Sequence, residues 1–191
     1  MPKLYFKYGA MGSSKTAQAL MTKFNYEQKN HKVLLIKSNI DNRDMENGKI
    51  VVKSRIGLCS KCETFDKTEN LFNFVKSRGF LCEKCVVIVD EAQFCTAKQI
   101  DELHMVSQYV PVLCYGLLTN FKTQLFEGSK RLVEVAESLM EIKSICDCGK
   151  KATINARFVN GNLETDGDEI VIGDTTYKGI CYGCYQKLKE K

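Results

Sequence analysis

No stretch of this chain approaches the roughly 18 consecutive apolar residues of a membrane-spanning helix. The amino terminus runs directly into Lys3-Leu-Tyr-Phe6 with no leader-like apolar segment. The expectation is a cytoplasmic protein without a membrane partner. No internal repeat and no low-complexity tract is present. No Lys/Arg cluster is interleaved with aromatics, and Glu164-Thr-Asp-Gly-Asp-Glu169 is acidic enough to repel a phosphate backbone, so nucleic acid is not an expected partner. Histidine is confined to His31 and His104, and the absence of an H-x-E signature excludes a zinc deaminase.

What is present frames one medium domain, or a domain with a small appendage: 191 residues, 44% apolar, with a net charge of +5 spread along the chain. That mild charge suits anionic ligands without demanding a polyanion. Ten cysteines in a reducing compartment argue for metal ligation and buried thiols rather than a disulfide framework.

The strongest motif follows the first apolar run. In Lys7-Tyr-Gly-Ala-Met-Gly-Ser-Ser-Lys-Thr16, the pattern G-x-x-x-x-G-K-[ST] is met by Gly9, Lys15 and Thr16, with Ser14 in place of the second glycine. Such a loop aims backbone N–H groups at phosphate oxygens. Its lysine reaches the outer phosphates and its hydroxyl takes a Mg²⁺ position. A serine can stand at position 14 only if the backbone there avoids the strictly glycine region of φ/ψ space.

Short, unalternating, β-branched runs at 4–8, 33–37, 86–89 and 111–115 read as strands buried on both faces of a parallel sheet. Helices are expected at 16–26 and 71–76, and after a capping box at Thr96-Ala-Lys-Gln99 that aligns Ile100, Leu103 and Val106. A further helical stripe is read through Leu132, Val135, Ala136, Leu139 and Met140. Beyond it, cysteine pairs, several glycines and short β-like pieces such as 169–172 indicate a separate small lobe. The division expected is 1–142 for a nucleotide-binding domain and 143–191 for a zinc-bearing one.

Val86-Val-Ile-Val-Asp-Glu-Ala-Gln93 ends a strand in Asp90, where phosphate-loop proteins present a carboxylate to Mg²⁺ at the sheet's C-terminal edge. Strand alternation sends Glu91 to the opposite side, leaving one carboxylate for the metal and one for a nucleophile. Cys146-x-Cys148 and Cys181-x-x-Cys184 offer four thiolates for a closed, structural zinc site, the alternative being buried free thiols. Cys59-x-x-Cys62 and Cys82-x-x-Cys85 have the spacing of a second zinc site. Against that, Cys85 abuts a buried strand on its Val87/Val89 face, and neither pair is followed by a glycine.

These motifs in this order resemble the type II thymidine kinases, a cytosolic, zinc-containing family. The likeness covers nearly the whole chain and is carried by 9–16, Lys37-Ser-Asn-Ile-Asp-Asn-Arg43, Ser54-Arg-Ile-Gly57, Asp90-Glu-Ala-Gln-Phe94, Val112-Leu-Cys-Tyr-Gly-Leu117, Phe121, Leu125-Phe-Glu-Gly-Ser129, Cys146-Asp-Cys-Gly-Lys-Lys-Ala152, Asn155-Ala-Arg157, Ile172-Gly173, Tyr177 and the last cysteine pair. The resemblance implies an α/β, RecA-like phosphate-loop domain with a mostly parallel sheet, plus a small zinc lobe whose lasso, about 154–177, closes over the nucleoside. It implies Glu91 as the general base for the thymidine 5′-hydroxyl, with ATP as the other substrate. Gly9, Ala10, Met11, Gly12, Ser13, Ser14, Lys15, Thr16, Asp41, Arg43, Asp90 and Gln93 would then form the phosphate and Mg²⁺ end. Met11, Phe94, Leu117, Phe121 and Phe126 would wall the thymine, and Val171, Gly173 and Tyr177 would contact it from the lasso. A homotetramer and feedback inhibition by dTTP are implied in the same way. Departures from the family pattern are Ser14, Leu118, Asn120 and a lasso one residue short before Tyr177. The competing readings are a phosphate-loop ATPase whose zinc module binds a partner or nucleic acid, and an inactive nucleotide-binding regulator. ATP turnover that requires thymidine separates the three.

Overall fold

The computed structural model describes residues 3–46, 48–168 and 177–190. In chain order the elements are β1 (Leu4–Tyr8), α1 (Lys15–Glu27), β2 (Lys32–Ser38), β3 (Met45–Glu46), β4 (Lys49–Lys53), β5 (Cys59–Lys61), β6 (Glu63–Phe65), α2 (Leu71–Ser77) and β7 (Cys85–Asp90). After a 3₁₀ turn at Ala92–Phe94 come α3 (Ala97–Val106), β8 (Val112–Gly116), α4 (Glu127–Val135), β9 (Ser138–Glu141), β10 (Ser144–Ile145), β11 (Lys151–Ala152), β12 (Ile154–Val159), β13 (Asn162–Glu164), β14 (Tyr177–Ile180) and α5 (Tyr182–Lys189).

Six strands form one parallel sheet in the order β6-β2-β7-β8-β1-β9. Its two faces are both covered, which is why the central runs are continuously apolar rather than alternating. Val87, Val89, Leu34 and Ile36 face a core completed by Ile100, Leu103 and Val106 of α3 and Leu132 of α4. Val86, Ile88, Leu35 and Tyr115 face a second core completed by Ala19 and Leu20 of α1 and by Val52. The capping box at the start of α3 forms as read: the Thr96 side chain accepts from the Gln99 N–H and the Gln99 side chain from the Thr96 N–H, both at 3.1 Å.

The stripe through residues 132–140 is not one helix. Helix α4 stops at Val135, Ala136 is extended at ψ 135°, and Leu139 and Met140 lie in β9, paired with Phe6 and Lys7. Both are about half exposed on the sheet edge, so their apparent helical spacing reports an edge strand and not a buried face. The β-like piece at 169–172 lies outside the described residues.

The smaller lobe pairs β10 with β11 and arranges β13-β12-β14 as an antiparallel sheet. Ile154, Ala156, Ile180 and Tyr185 form its core, and Ala10 of the phosphate loop belongs to the same cluster. The lobe therefore packs directly on the loop that follows β1.

Candidate active site

The loop after β1 closes over its own lysine. Gly9 sits where a Cβ would come within 2.3 Å of the Ile142 carbonyl and 2.5 Å of Ser13 Oγ, so only glycine fits. Lys15 Nζ donates to the Ala10 carbonyl at 2.9 Å and to Ser13 Oγ at 3.3 Å. Burial holds Lys15 down to about 8, against the opposing pull of Glu91 and Asp90. A buried ammonium with no carboxylate in hydrogen-bond contact among the described residues suits an incoming anion. Ser14 adopts φ 59°, ψ 23°, the left-handed region open to side chains at a cost, and thus meets the condition its identity imposed.

The end of β7 supplies the acidic side. Thr16 Oγ1 lies 3.2 and 3.4 Å from the two Asp90 carboxylate oxygens, a pair that could hold a Mg²⁺ between them. Burial, then the neighbouring Glu91 charge, pushes Asp90 up to about 7. Glu91 departs from strand alternation because its φ is 53°. The left-handed turn brings its carboxylate back to the cleft that Asp90 also lines, together with residues 11–17, 53–56, Lys37 and Arg43. Backbone strain of this kind persists where the surroundings over-determine it. Glu91 accepts from Arg43 Nη2 at 2.9 Å and from Gln93 Nε2 at 2.5 Å. Arg43 also grips Asp41, at 2.7 and 2.8 Å. Asp41 is buried against Lys37 Nζ at 2.9 Å. Burial alone would favour protonated Asp41, but the Arg43 hydrogen bonds and the Lys37 and Arg43 charges outweigh it and hold the carboxyl below its usual range.

The residues expected to wall the base fall in more than one place: Phe94 packs with Phe126, Leu117 bonds to Gln93, Phe121 and Tyr177 neighbour Arg157, and Met11 lines the phosphate cleft. The Phe94 and Phe126 rings meet edge to face at 6.1 Å. The Leu117 N–H donates to Gln93 Oε1 at 3.0 Å, so Gln93 ties Leu117 to Glu91. Phe121 is buried, and the Arg157 guanidinium lies 3.8 Å from its ring centroid. Tyr177 is half-buried in β14, opposite Arg157. Val171 and Gly173 lie outside the described residues. Asn120, a departure from the family pattern, shapes a turn: its side chain accepts from the Lys122 and Gln124 N–H groups at 3.0 Å. Leu118 packs on the main core.

Two groups carried no role in the sequence reading. Asn155 accepts from the Met11 N–H at 2.8 Å and donates to the Thr119 carbonyl at 2.7 Å, joining the phosphate loop to the segment after β8. Lys37 is the buried partner of Asp41. The available signal for the first was period two: Asn155 and Arg157 flank the buried Ala156 and so share one face of β12.

The sulfurs of Cys146, Cys148, Cys181 and Cys184 all lie within 4.8 Å of one another. A tetrahedral zinc with Zn–S of about 2.3 Å places its sulfurs about 3.8 Å apart, so the four residues fit a structural zinc. Backbone N–H groups of Cys148 and Cys181 hold the Cys146 thiol below its usual range, favouring the thiolate that a metal requires.

The other cysteine pairs do not converge. Glu63, next to Cys62, is in register with Ile36 of β2, whereas Cys85 is in register with Lys32. Four residues along the strand and two strand spacings put the pairs about 15 Å apart. A shared zinc between them is excluded by this register. Cys85 takes the Val87/Val89 face and Cys62 packs against the opposite one, each a small apolar core group.

A glycine-lined loop feeding a helix from β1, with an Asp-Glu pair at the C-terminal end of a parallel strand facing it, defines a phosphate-loop α/β protein. Within that class, a family model described as thymidine kinase matches residues 2–185. The thymidine kinase of Enterobacteria phage T4 is 38% identical over 194 residues, spanning 100% of this chain and 99% of that protein. That of Zymomonas mobilis is 41% identical, spanning 95% of this chain and 94% of its own length. That of Francisella tularensis is 39% identical, spanning 94% and 91%. The chain belongs to the thymidine kinase family.

Proposed function

We infer that the protein transfers the γ-phosphate of ATP to the 5′-hydroxyl of thymidine, giving dTMP and ADP. The observation that carries this reading is the pair at the end of β7: Asp90 lies 3.2 Å from Thr16 Oγ1, while Glu91 opens into the same cleft. Residues 9–14 and Lys15 hold the phosphates, and Thr16 and Asp90 would hold Mg²⁺, which would supply charge neutralisation for the transferred group. Glu91 takes the proton of the attacking hydroxyl as the new O–P bond forms and the bond to ADP breaks. Gln93 keeps Glu91 in register with Leu117, and Met11, Phe94, Leu117, Phe121, Phe126 and Tyr177 enclose the thymine. Val171 and Gly173 belong to the same proposal through the family likeness alone.

In this reading residues 1–142 bind nucleotide and 143–191 close over the nucleoside, braced by zinc on Cys146, Cys148, Cys181 and Cys184. The enzyme works in the cytoplasm as a homotetramer in pyrimidine salvage, with dTTP as feedback inhibitor, as the family likeness suggests. Among the described residues no helix is long and apolar enough to cross a membrane. The test is ADP production from MgATP with a panel of nucleosides. Turnover that depends on thymidine is expected. ATP hydrolysis indifferent to any nucleoside would replace this reading with an ATPase.

A further inference from the structure

We propose that Arg157 is a positioning residue for the nucleoside: it locks the turn at 166–168 onto Phe121 and so sets the base side of the pocket. The proposal rests on the thymidine kinase reading. Arg157 is almost completely buried on β12. One face of its guanidinium covers the Phe121 ring at 3.8 Å, and two of its N–H groups donate outward to backbone, Nη1 to the Asp168 carbonyl at 2.7 Å and Nη2 to the Asp166 carbonyl at 2.9 Å. A planar fork is needed to stack and to donate to two acceptors at once, which a lysine cannot do.

The turn is shaped to receive that fork. Gly167 has φ +110°, and a Cβ built there would lie 2.5 Å from Arg157 Nη2. Asp166 accepts from the Gly167 N–H at 2.9 Å and from Lys122 Nζ at 3.2 Å, so the neighbour of Phe121 in sequence fastens the same turn from outside. Arg157 Nε is buried without an acceptor among the described residues. An unsatisfied buried donor costs folding free energy, which points to a reason other than stability for keeping arginine here. The phosphate cleft is not lined by Arg157, Gly167 or Phe121. The latch is therefore separate from the phosphate cleft, and its bearing on the nucleoside follows from the place of Phe121 in the proposed thymine wall.

The test compares wild type with Arg157→Lys, Gly167→Ala and the double variant, in steady-state kinetics for thymidine and for ATP. Each single change is expected to raise KM for thymidine by about tenfold while KM for ATP stays within about twofold, the scale of one misplaced bidentate contact. The double variant should be no worse than the weaker single one, because both break the same latch. Additive effects, equal rises in both KM values, or no change would overturn the proposal. If Arg157→Lys fails to fold, Gly167→Ala alone decides, since it removes no buried side chain. Hydrogen exchange of the 165–168 amides separates the two levels of inference. Faster exchange in Arg157→Lys in a protein that shows no thymidine-dependent turnover would retain the latch and discard the substrate. Unchanged exchange in an active enzyme would discard the latch and retain the substrate.

Discussion

Arg43 Nη2 stands 2.9 Å from Glu91 Oε1 while its Nε stands 2.7 Å from Asp41 Oδ1, so a single guanidinium bridges the proposed base and the buried carboxylate beside it. Glu91 in this arrangement is paired and not poised: its oxygens are taken by Arg43 and Gln93. Nucleotide phosphates entering the cleft offer Arg43 a stronger bidentate partner. In the proposed kinase reading, drawing Arg43 away would free the Glu91 carboxylate for the attacking hydroxyl, and nucleotide binding would then unmask the base.

Replacing Glu91 by Gln keeps the shape and the Gln93 contact but removes the proton acceptor. Thymidine affinity should hold while kcat falls by roughly 10² or more. Lys15→Ala should instead impair both KM for ATP and kcat. Near-normal kcat in Glu91→Gln would shift the base to another carboxylate, with Asp41 next in reach of Arg43.

Ser14 pays for a left-handed backbone that glycine adopts freely. Ser14→Gly should stabilise the protein by on the order of 1 kcal/mol, since substitutions at positive φ gain more from relief of strain than they lose in chain entropy. Urea or thermal unfolding of the two proteins reads this directly. A less stable glycine variant would mean that the serine hydroxyl, which donates to the Ser13 carbonyl at 2.6 Å, matters more than the backbone.

Much of this architecture was legible because its signals are local. Continuous apolar runs give β2, β7 and β8, the Thr96/Gln99 pair gives the start of α3, and the loop from Gly9 to Thr16 announces itself by spacing. The edge strands β6 and β9 were not: β6 has three residues with only Phe65 buried, and the four residues of β9 are all partly or largely exposed, too little for a readable pattern. Leu139 and Met140 matched a helical period only by continuing the spacing of Leu132 and Val135. Pairs distant in sequence were also hidden: Arg43 with Glu91, and Met11 with Asn155, meet only after the sheet and lobe assemble. The Cys59/Cys62 and Cys82/Cys85 spacing misled for the same reason, as strand register rather than spacing decides which thiols can meet.

Asp90 makes the metal-free protein pH-sensitive. Its folded value of about 7 lies above the unfolded 3.8, so the folded state holds the extra proton. The stability this gives is fully present below the unfolded value and is lost as pH rises through 7. Asp90→Asn has no proton to lose. Without Mg²⁺, its stability relative to wild type should grow by about 2–3 kcal/mol between pH 5 and pH 8. Parallel pH profiles of Tm for the two proteins would place Asp90 near its ordinary value instead.

Zinc should be present at one ion per chain in protein purified without added metal, because one thiol set converges and the other is separated by sheet register. Replacing Cys146 and Cys148 by Ser should remove it, whereas replacing Cys59 and Cys62 should leave the metal content unchanged. Two ions per chain would show that 59–62 rearranges away from the register seen here. The consequence of zinc loss should reach the phosphate site. The cysteine pairs flank β12 in sequence, Cys146 and Cys181 share a core with its Ile154 and Ala156, β12 carries Asn155, and Asn155 holds the Met11 N–H at 2.8 Å. Chelation should therefore raise KM for ATP as well as for thymidine, in contrast to the nucleoside-selective effect expected of Arg157→Lys. A chelated enzyme with unchanged ATP kinetics would show that the phosphate loop keeps its shape without the lobe behind it.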